Sequence, residues 1–146
     1  MSPAELEAYL HDHIPLSKAM ASSVLAIAPD AVILQAPLAP NINHRETVFG
    51  GSASALAILS SWSLLHVRLR TQGISSRLVI QRNTIDYDRP ILAEFTARAT
   101  LASPEHWGSF INMLDRKGKA RISVTSILES QGQIVARFSG AFVALN

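Results

Sequence analysis

The run from Val48 to Val67 sets the tightest limit on the fold, because its twenty residues include no Asp, Glu, Lys or Arg. That is about the length of a membrane span. However, the run carries Ser52, Ser54, Ser60, Ser61 and Ser63, the pair Gly50-Gly51 and His66, and no comparable run accompanies it. Its apolar residues fall on nearly every face at helical spacing, so the helix has to be enclosed by a globular domain. The expected helix starts at Gly51 or Ser52 and ends near Arg70, with Gly73 just beyond.

The flanking sequence supplies the enclosure. Ser2 can cap a short helix within residues 1–13, with Pro3 in its first turn, Leu6, Tyr9 and Leu10 on one face, and Pro15 as its stop. Leu16 to Met20 reads as a brief turn. "SSVLAIAPDAVILQAPL" reads as two strands about a Pro29-Asp30 turn, and Ala39 to Phe49 as a loop. Beyond the long helix, Ser76 to Asp88 and Ile91 to Leu101 are expected strands. "SPEHWGSFINML" fits a short helix or helical turn, with a strand from Phe110 to Leu114 as the competing reading. Two final strands meet at Gln131-Gly132, and Ile134, Ala136, Phe138, Gly140, Phe142 and Ala144 share one face of the last at the period of two. The expectation is one α+β domain over residues 1–146, a curved antiparallel sheet wrapped around one central helix (51–70).

Composition removes several functions. The absence of cysteine excludes disulfides, thiolate metal sites and a cysteine nucleophile. A net charge of +2 is too mild to suggest nucleic acid. "MSPAELEAYLHDHIP" has neither the basic nor the apolar region of a signal peptide, and a cytoplasmic location is expected, with no membrane partner. His11-Asp12-His13 resembles a ligand cluster, but adjacent helical residues point apart, so no metal site is expected. "GGSAS" lacks the last glycine of a nucleophile elbow, and the chain lacks that fold's parallel βαβ units.

Gly50-Gly51 itself admits two readings. It can turn the chain into a crowded helix, or it can let a carbonyl approach the free N–H groups and positive dipole end of the helix N-terminus.

"NHRETVFGGSASALA" before the helix, "IDYDRPI" ending the next strand and the order of elements resemble the hot-dog-fold thioesterases, in their PaaI-like branch. The chain is similar to the thioesterase-like domain that ends YiiD-type bacterial acetyltransferases, over about Ile14 to Leu145, and no acetyltransferase half is expected within these residues. In the PaaI-like pattern an Asn stands six residues before the residue preceding Gly-Gly, that preceding residue is usually His, and an Asp follows seven residues after the second glycine. Asn43, Gly50 and Gly51 match the pattern here, whereas Phe49 replaces the His and Ile58 the Asp. An Asp at that place would act as base or nucleophile, and Ile can do neither.

The resemblance implies hydrolysis of an acyl thioester, with Gly50 and Gly51 as oxyanion donors and Asn43 and His44 placing a water. Asn43 can equally form a structural Asx-turn, and His44 can equally brace the loop. Ser54, Ile58 and Ser61 share a helical face, so Ser54 or Ser61 can add a hydrogen bond to substrate or let the helix pack closely. Phe49, Ser54 and Ile58 would line the substrate site. Arg82 and Arg89, or the cluster Arg116, Lys117 and Lys119, can meet the phosphates of CoA, or be solvated surface charge. The resemblance further implies a homodimer or dimer of dimers, with the site between subunits. No cofactor is expected beyond the CoA or phosphopantetheine of an acyl-CoA or acyl carrier protein substrate. A non-catalytic acyl-binding or assembly module is the alternative that Ile58 keeps open.

Overall fold

The computed structural model describes residues 1–146. Helix α1 (Pro3–His13) begins as expected, with Ser2 Oγ accepting the Glu5 N–H at 3.1 Å. Pro15 does more than stop it. It opens a second short helix, α2 (Pro15–Ala19), where a turn was expected, because proline lacks only an N–H that the first helical turn leaves unpaired. Strands β1 (Ser23–Ile27) and β2 (Val32–Ala36) pair antiparallel about the Pro29-Asp30 turn.

The central helix α3 (Gly50–Thr71) extends one residue past each expected end. Its serines do not open it to water. Ser60 and Ser61 are wholly buried and donate to Ala57 O at 2.9 Å, and the Ser60 hydroxyl also meets Ser126 Oγ at 2.9 Å. These two hydroxyls avoid the desolvation penalty of an unpaired polar group, whereas Ser63 Oγ is buried without a partner.

Strands β3 (Arg77–Tyr87) and β4 (Phe95–Leu101) follow. The expected strand at Ile91 starts only at Phe95, because Ile91 O instead accepts the Val48 N–H at 2.9 Å. "SPEHWGSFINML" is helical: a 3₁₀ turn (Pro104–His106) leads into α4 (Trp107–Lys117). Phe110 and Leu114 on α4 are buried, while Gly108 has no neighbour to pack against. Strands β5 (Lys119–Ser130) and β6 (Gln133–Leu145) complete the chain. Ile134 does not share the buried face of β6. A register shift at Leu128/Glu129 turns both Val135 and Ala136 inward and leaves Ile134 half exposed, at 49%.

One antiparallel sheet runs β1-β2-β4-β5-β6-β3 and curves over α3, which packs against β2 through β6. Leu56, Leu64 and Leu65 of α3 meet Leu34, Phe95, Leu128 and Phe142 of the sheet in one core. No helix is long and apolar enough to cross a membrane.

Candidate functional site

The chain enters α3 through a tightly fixed loop. Ile42 and Val48 form an isolated bridge, and Asn43 organises the residues between them. Its Oδ1 accepts the N–H groups of Arg45 (2.9 Å) and Thr47 (3.2 Å), and its Nδ2 donates to Thr47 Oγ1 at 3.0 Å. Asn41, nearly buried, donates through Nδ2 to Met20 O and Pro37 O, and its carbonyl accepts the Phe49 N–H at 2.8 Å. The first turn of α3 is therefore held from both sides.

Two donors in that turn are left over. Phe49 is the N-cap, and it has no side-chain group to satisfy the first N–H groups. Ser52 and Ala53 both donate to Phe49 O, at 2.9 and 3.2 Å, but the N–H groups of Gly50 and Gly51 have no partner in the chain. They sit at the positive end of a 22-residue helix, whose dipole amounts to about half a unit charge.

The two glycines differ in their surroundings. A Cβ on Gly51 would lie 2.4 Å from Phe49 Cε2, so the Phe49 ring occupies the space a side chain would need. A Cβ on Gly50 would meet Tyr87 at an ordinary 3.6 Å. Tyr87, the last residue of β3, donates its hydroxyl to Gly50 O at 3.2 Å. That carbonyl shares a planar peptide group with the Gly51 N–H, so the bond fixes the direction of one free donor.

Each glycine also opens onto its own cleft. Gly51 lines one of about 290 Å³ with Leu16, Met20, Pro40, Phe49 and Ala55. Gly50 lines another of about 300 Å³ with Val48, Tyr87, Asp88, Arg89 and Ile91. Asp88 is engaged by Arg137, whose Nε and Nη2 donate to it at 2.9 and 3.2 Å. The Arg137 hydrogen bonds, chiefly, hold the Asp88 carboxyl below its usual range.

Residues 3–146 match the family model described as "Putative thioesterase (yiiD_Cterm)". The chain belongs to this family. Its fold is shared with a protein of unknown function from Chlorobaculum tepidum TLS, at 26% identity and TM-score 0.92 over 99% of this chain and 97% of that one. A "putative thioesterase" from Shewanella oneidensis matches at 24% identity and TM-score 0.85, again over 99% and 97%. A thioesterase from Haemophilus influenzae matches at 13% identity and TM-score 0.80, over 100% and 92%. The architecture is thus the hot-dog fold of thioesterases, with α3 as the enclosed helix.

Within this family frame the residues singled out from sequence are not all gathered together. Gly50, Gly51 and Phe49 meet at the helix start, and Arg89 lines the Gly50 cleft. His44 is exposed on the loop. Ser54 and Ile58 are half-buried, on successive turns of α3. Ser61 lies ten residues from Gly51, about 15 Å along the helix, and is enclosed. Arg82 is exposed on β3, away from the cleft linings around the glycines. His11 Nε2 donates to Ser22 O at 2.7 Å, while the His13 ring packs tilted against Tyr9, so the two are engaged with different partners.

Three contributors escaped the sequence reading: Asn41, Tyr87, and α2 with Leu16 and Met20. Tyr87 reaches Gly50 from 37 residues away in the chain, and no local pattern announces such a contact. Asn41 had a weak signal, as a polar residue between proline and isoleucine.

Proposed function

We propose that the protein hydrolyses the thioester of an acyl-CoA or an acyl carrier protein, with the Gly50 and Gly51 N–H groups receiving the carbonyl oxygen. Family membership supplies the thioesterase reading, and the observation that carries it to this place is the unpartnered pair of donors at the start of α3. Water attacks the carbonyl carbon, negative charge moves onto the oxygen, and the C–S bond then breaks. The thiolate leaves and takes up the proton that the water gives away, so the products are a carboxylic acid and a thiol. An oxyanion donor of this kind contributes about 3 kcal/mol in the transition state. In this reading His44, exposed on the loop that delivers α3, takes the proton, and Asn43 shapes that loop. No cofactor is invoked beyond the CoA or phosphopantetheine of the substrate, and the reaction is placed in the cytoplasm.

The functional unit in this reading is a homodimer joined through β3, which lies at the edge of the sheet and pairs only with β6. Purified protein incubated with acyl-CoAs of graded chain length and a thiol-reactive dye tests the reaction. Thiol release well above that of Gly51→Val is expected, and no excess on any chain length overturns it. A second reading, an acyl-thioester-binding module without turnover, is favoured by Ile58 and by the enclosed Ser61. Saturable binding of acyl-CoA with no thiol release would select it.

A further inference from the structure

The two clefts at the glycine pair differ in chemistry, and a thioester is a molecule with two chemically different arms. We propose that the cleft beside Gly51 takes the acyl arm and the cleft beside Gly50 takes the thiol arm, the pantetheine of CoA or of a carrier protein. The assignment rests on the thioesterase reading and adds to it the direction in which the substrate lies.

Geometry forces a division. With the carbonyl oxygen on the free N–H groups, the two substituents of the planar carbonyl carbon diverge. Each glycine opens onto a cleft that shares no lining residue with the other, so the two substituents can enter different clefts. The Gly51 side has no charged residue in its lining, where Asn41 and Ser52 stand beside Leu16, Met20, Phe49 and Ala55. Leu16 is 60% and Phe49 58% exposed, so large apolar surfaces face water there with nothing in the chain covering them. An acyl chain laid on them removes that surface from water. The pantetheine arm, rich in amides and ending in a phosphate, gains little from such a wall.

The Gly50 side offers the complementary set. Tyr87, Asp88 and Arg89 line it beside the apolar Val48, Pro90 and Ile91, so this cleft alone of the two carries charge. Arg137 occupies Asp88 through two hydrogen bonds, and Arg89 has no carboxylate partner of its own. A guanidinium with no carboxylate partner suits amide carbonyls and a phosphate. Phe49 belongs to the Gly51 side alone. Its ring fills the space a Gly51 side chain would need, so it forms a wall of the acyl side.

Two variants and one binding experiment test the direction. In Ala55→Phe the new ring fills the acyl cleft, and kcat/KM for dodecanoyl-CoA is expected to fall by about tenfold or more, while that for acetyl-CoA changes by less than about threefold. In Arg89→Ala, KM is expected to rise by a similar factor for every chain length, with kcat little changed. The opposite pattern, chain-length discrimination altered by Arg89→Ala and not by Ala55→Phe, overturns the assignment.

Binding to the unaltered protein keeps the test independent of turnover and of how well the variants fold. The ¹⁵N-labelled protein is titrated with CoA and then with the non-hydrolysable thioether S-dodecyl-CoA. CoA alone is expected to shift the amides of Tyr87 to Arg89, and the alkyl chain to add shifts at Phe49 to Ala55. Shifts in both sets without hydrolysis of any acyl-CoA overturn the thioesterase reading and leave the direction standing. Alkyl-dependent shifts confined to Tyr87 to Arg89 overturn the direction, as does the absence of any shift.

Discussion

Gly51 is the residue where fold and function separate. Its conformation is helical and needs no glycine; the demand comes from the Phe49 ring, 2.4 Å from where a Cβ would stand. Phe49 is largely exposed, so it can swing aside, and Ala is the better helix former by about 0.5–1 kcal/mol. Gly51→Ala is therefore expected to leave the melting temperature unchanged or slightly raised while thioesterase activity drops by about tenfold or more. Gly50→Ala, which meets only an ordinary contact with Tyr87, is the milder partner in the same assay. Thermal melts beside rate measurements check the pair; a large loss of stability in Gly51→Ala would show that the glycine serves folding alone. Tyr87→Phe removes the hydroxyl that directs the Gly50–Gly51 peptide while keeping the ring. A fall in kcat of about three- to tenfold with KM nearly unchanged is expected, because the lost bond positions a donor that matters most in the transition state. The glycine pair and the Asn43 loop were legible in sequence because both are local: a dipeptide at a helix start, and a polar residue bonded two and four residues on. Tyr87 was not, since "IDYDRPI" reads as a strand end and nothing in it points back to residue 50.

At the level of elements, α1 is fastened to the central helix by an aromatic cluster that carries a titratable ring. Tyr9 stacks on His66 at 4.7 Å, and His66 on Trp62 at the same distance. Trp62 Nε1 donates to Leu78 O, which ties the cluster to β3 as well. His66 Nε2 is enclosed with no hydrogen-bond partner, and burial, then Arg70, then His13, push the imidazole below its ordinary pKa of 6.5. The unfolded chain therefore binds a proton at pH values where the folded one does not, so stability falls as pH drops below 6.5 toward the lowered value. Thermal melts from pH 7.5 to pH 5 are expected to show a decline in melting temperature that His66→Phe reduces, with α1 amides losing hydrogen-exchange protection first. A decline of the same size in His66→Phe would assign the effect to other groups. Long elements were readable here because each shows its pattern over many residues: α3 as an apolar run at helical spacing, β6 as alternation. α2 was missed because a proline counted as a stop is also the best first residue of a helix. Ile134 was misplaced because a bulge shifts parity by one, and parity is all that alternation reports.

For the whole molecule, the sheet has two ends, and they are not equivalent. β1 is five residues long, and the Glu7 carboxylate already accepts its Val24 N–H at 2.9 Å, so that edge is short and partly closed. β3 is eleven residues long and exposed along much of its length, with Val79 and Tyr87 about half exposed. The mixture of arginines and apolar residues on β3 does little to discourage pairing, unlike the capped β1. Two copies meeting antiparallel along this edge are related by a two-fold axis, so the Arg77 end of one lies beside the Tyr87 end of the other. At the first end is the cleft of about 640 Å³ lined by Tyr9, Trp62, His66, Leu78 and Val79; at the second, Tyr87 touches the start of α3. The proposed dimer would bring the aromatic cleft of one copy toward the glycine pair of the other, so that a second chain contributes to the site. Light scattering on the purified protein is expected to give twice the 15.8 kDa chain mass. Val79→Lys puts a charge on the seam and is expected to shift the mass toward the single chain, with circular dichroism unchanged and kcat/KM lowered by about tenfold. A single-chain mass for the unaltered protein at assay concentration, together with full activity, would remove the dimer and confine the site to the two clefts of one copy.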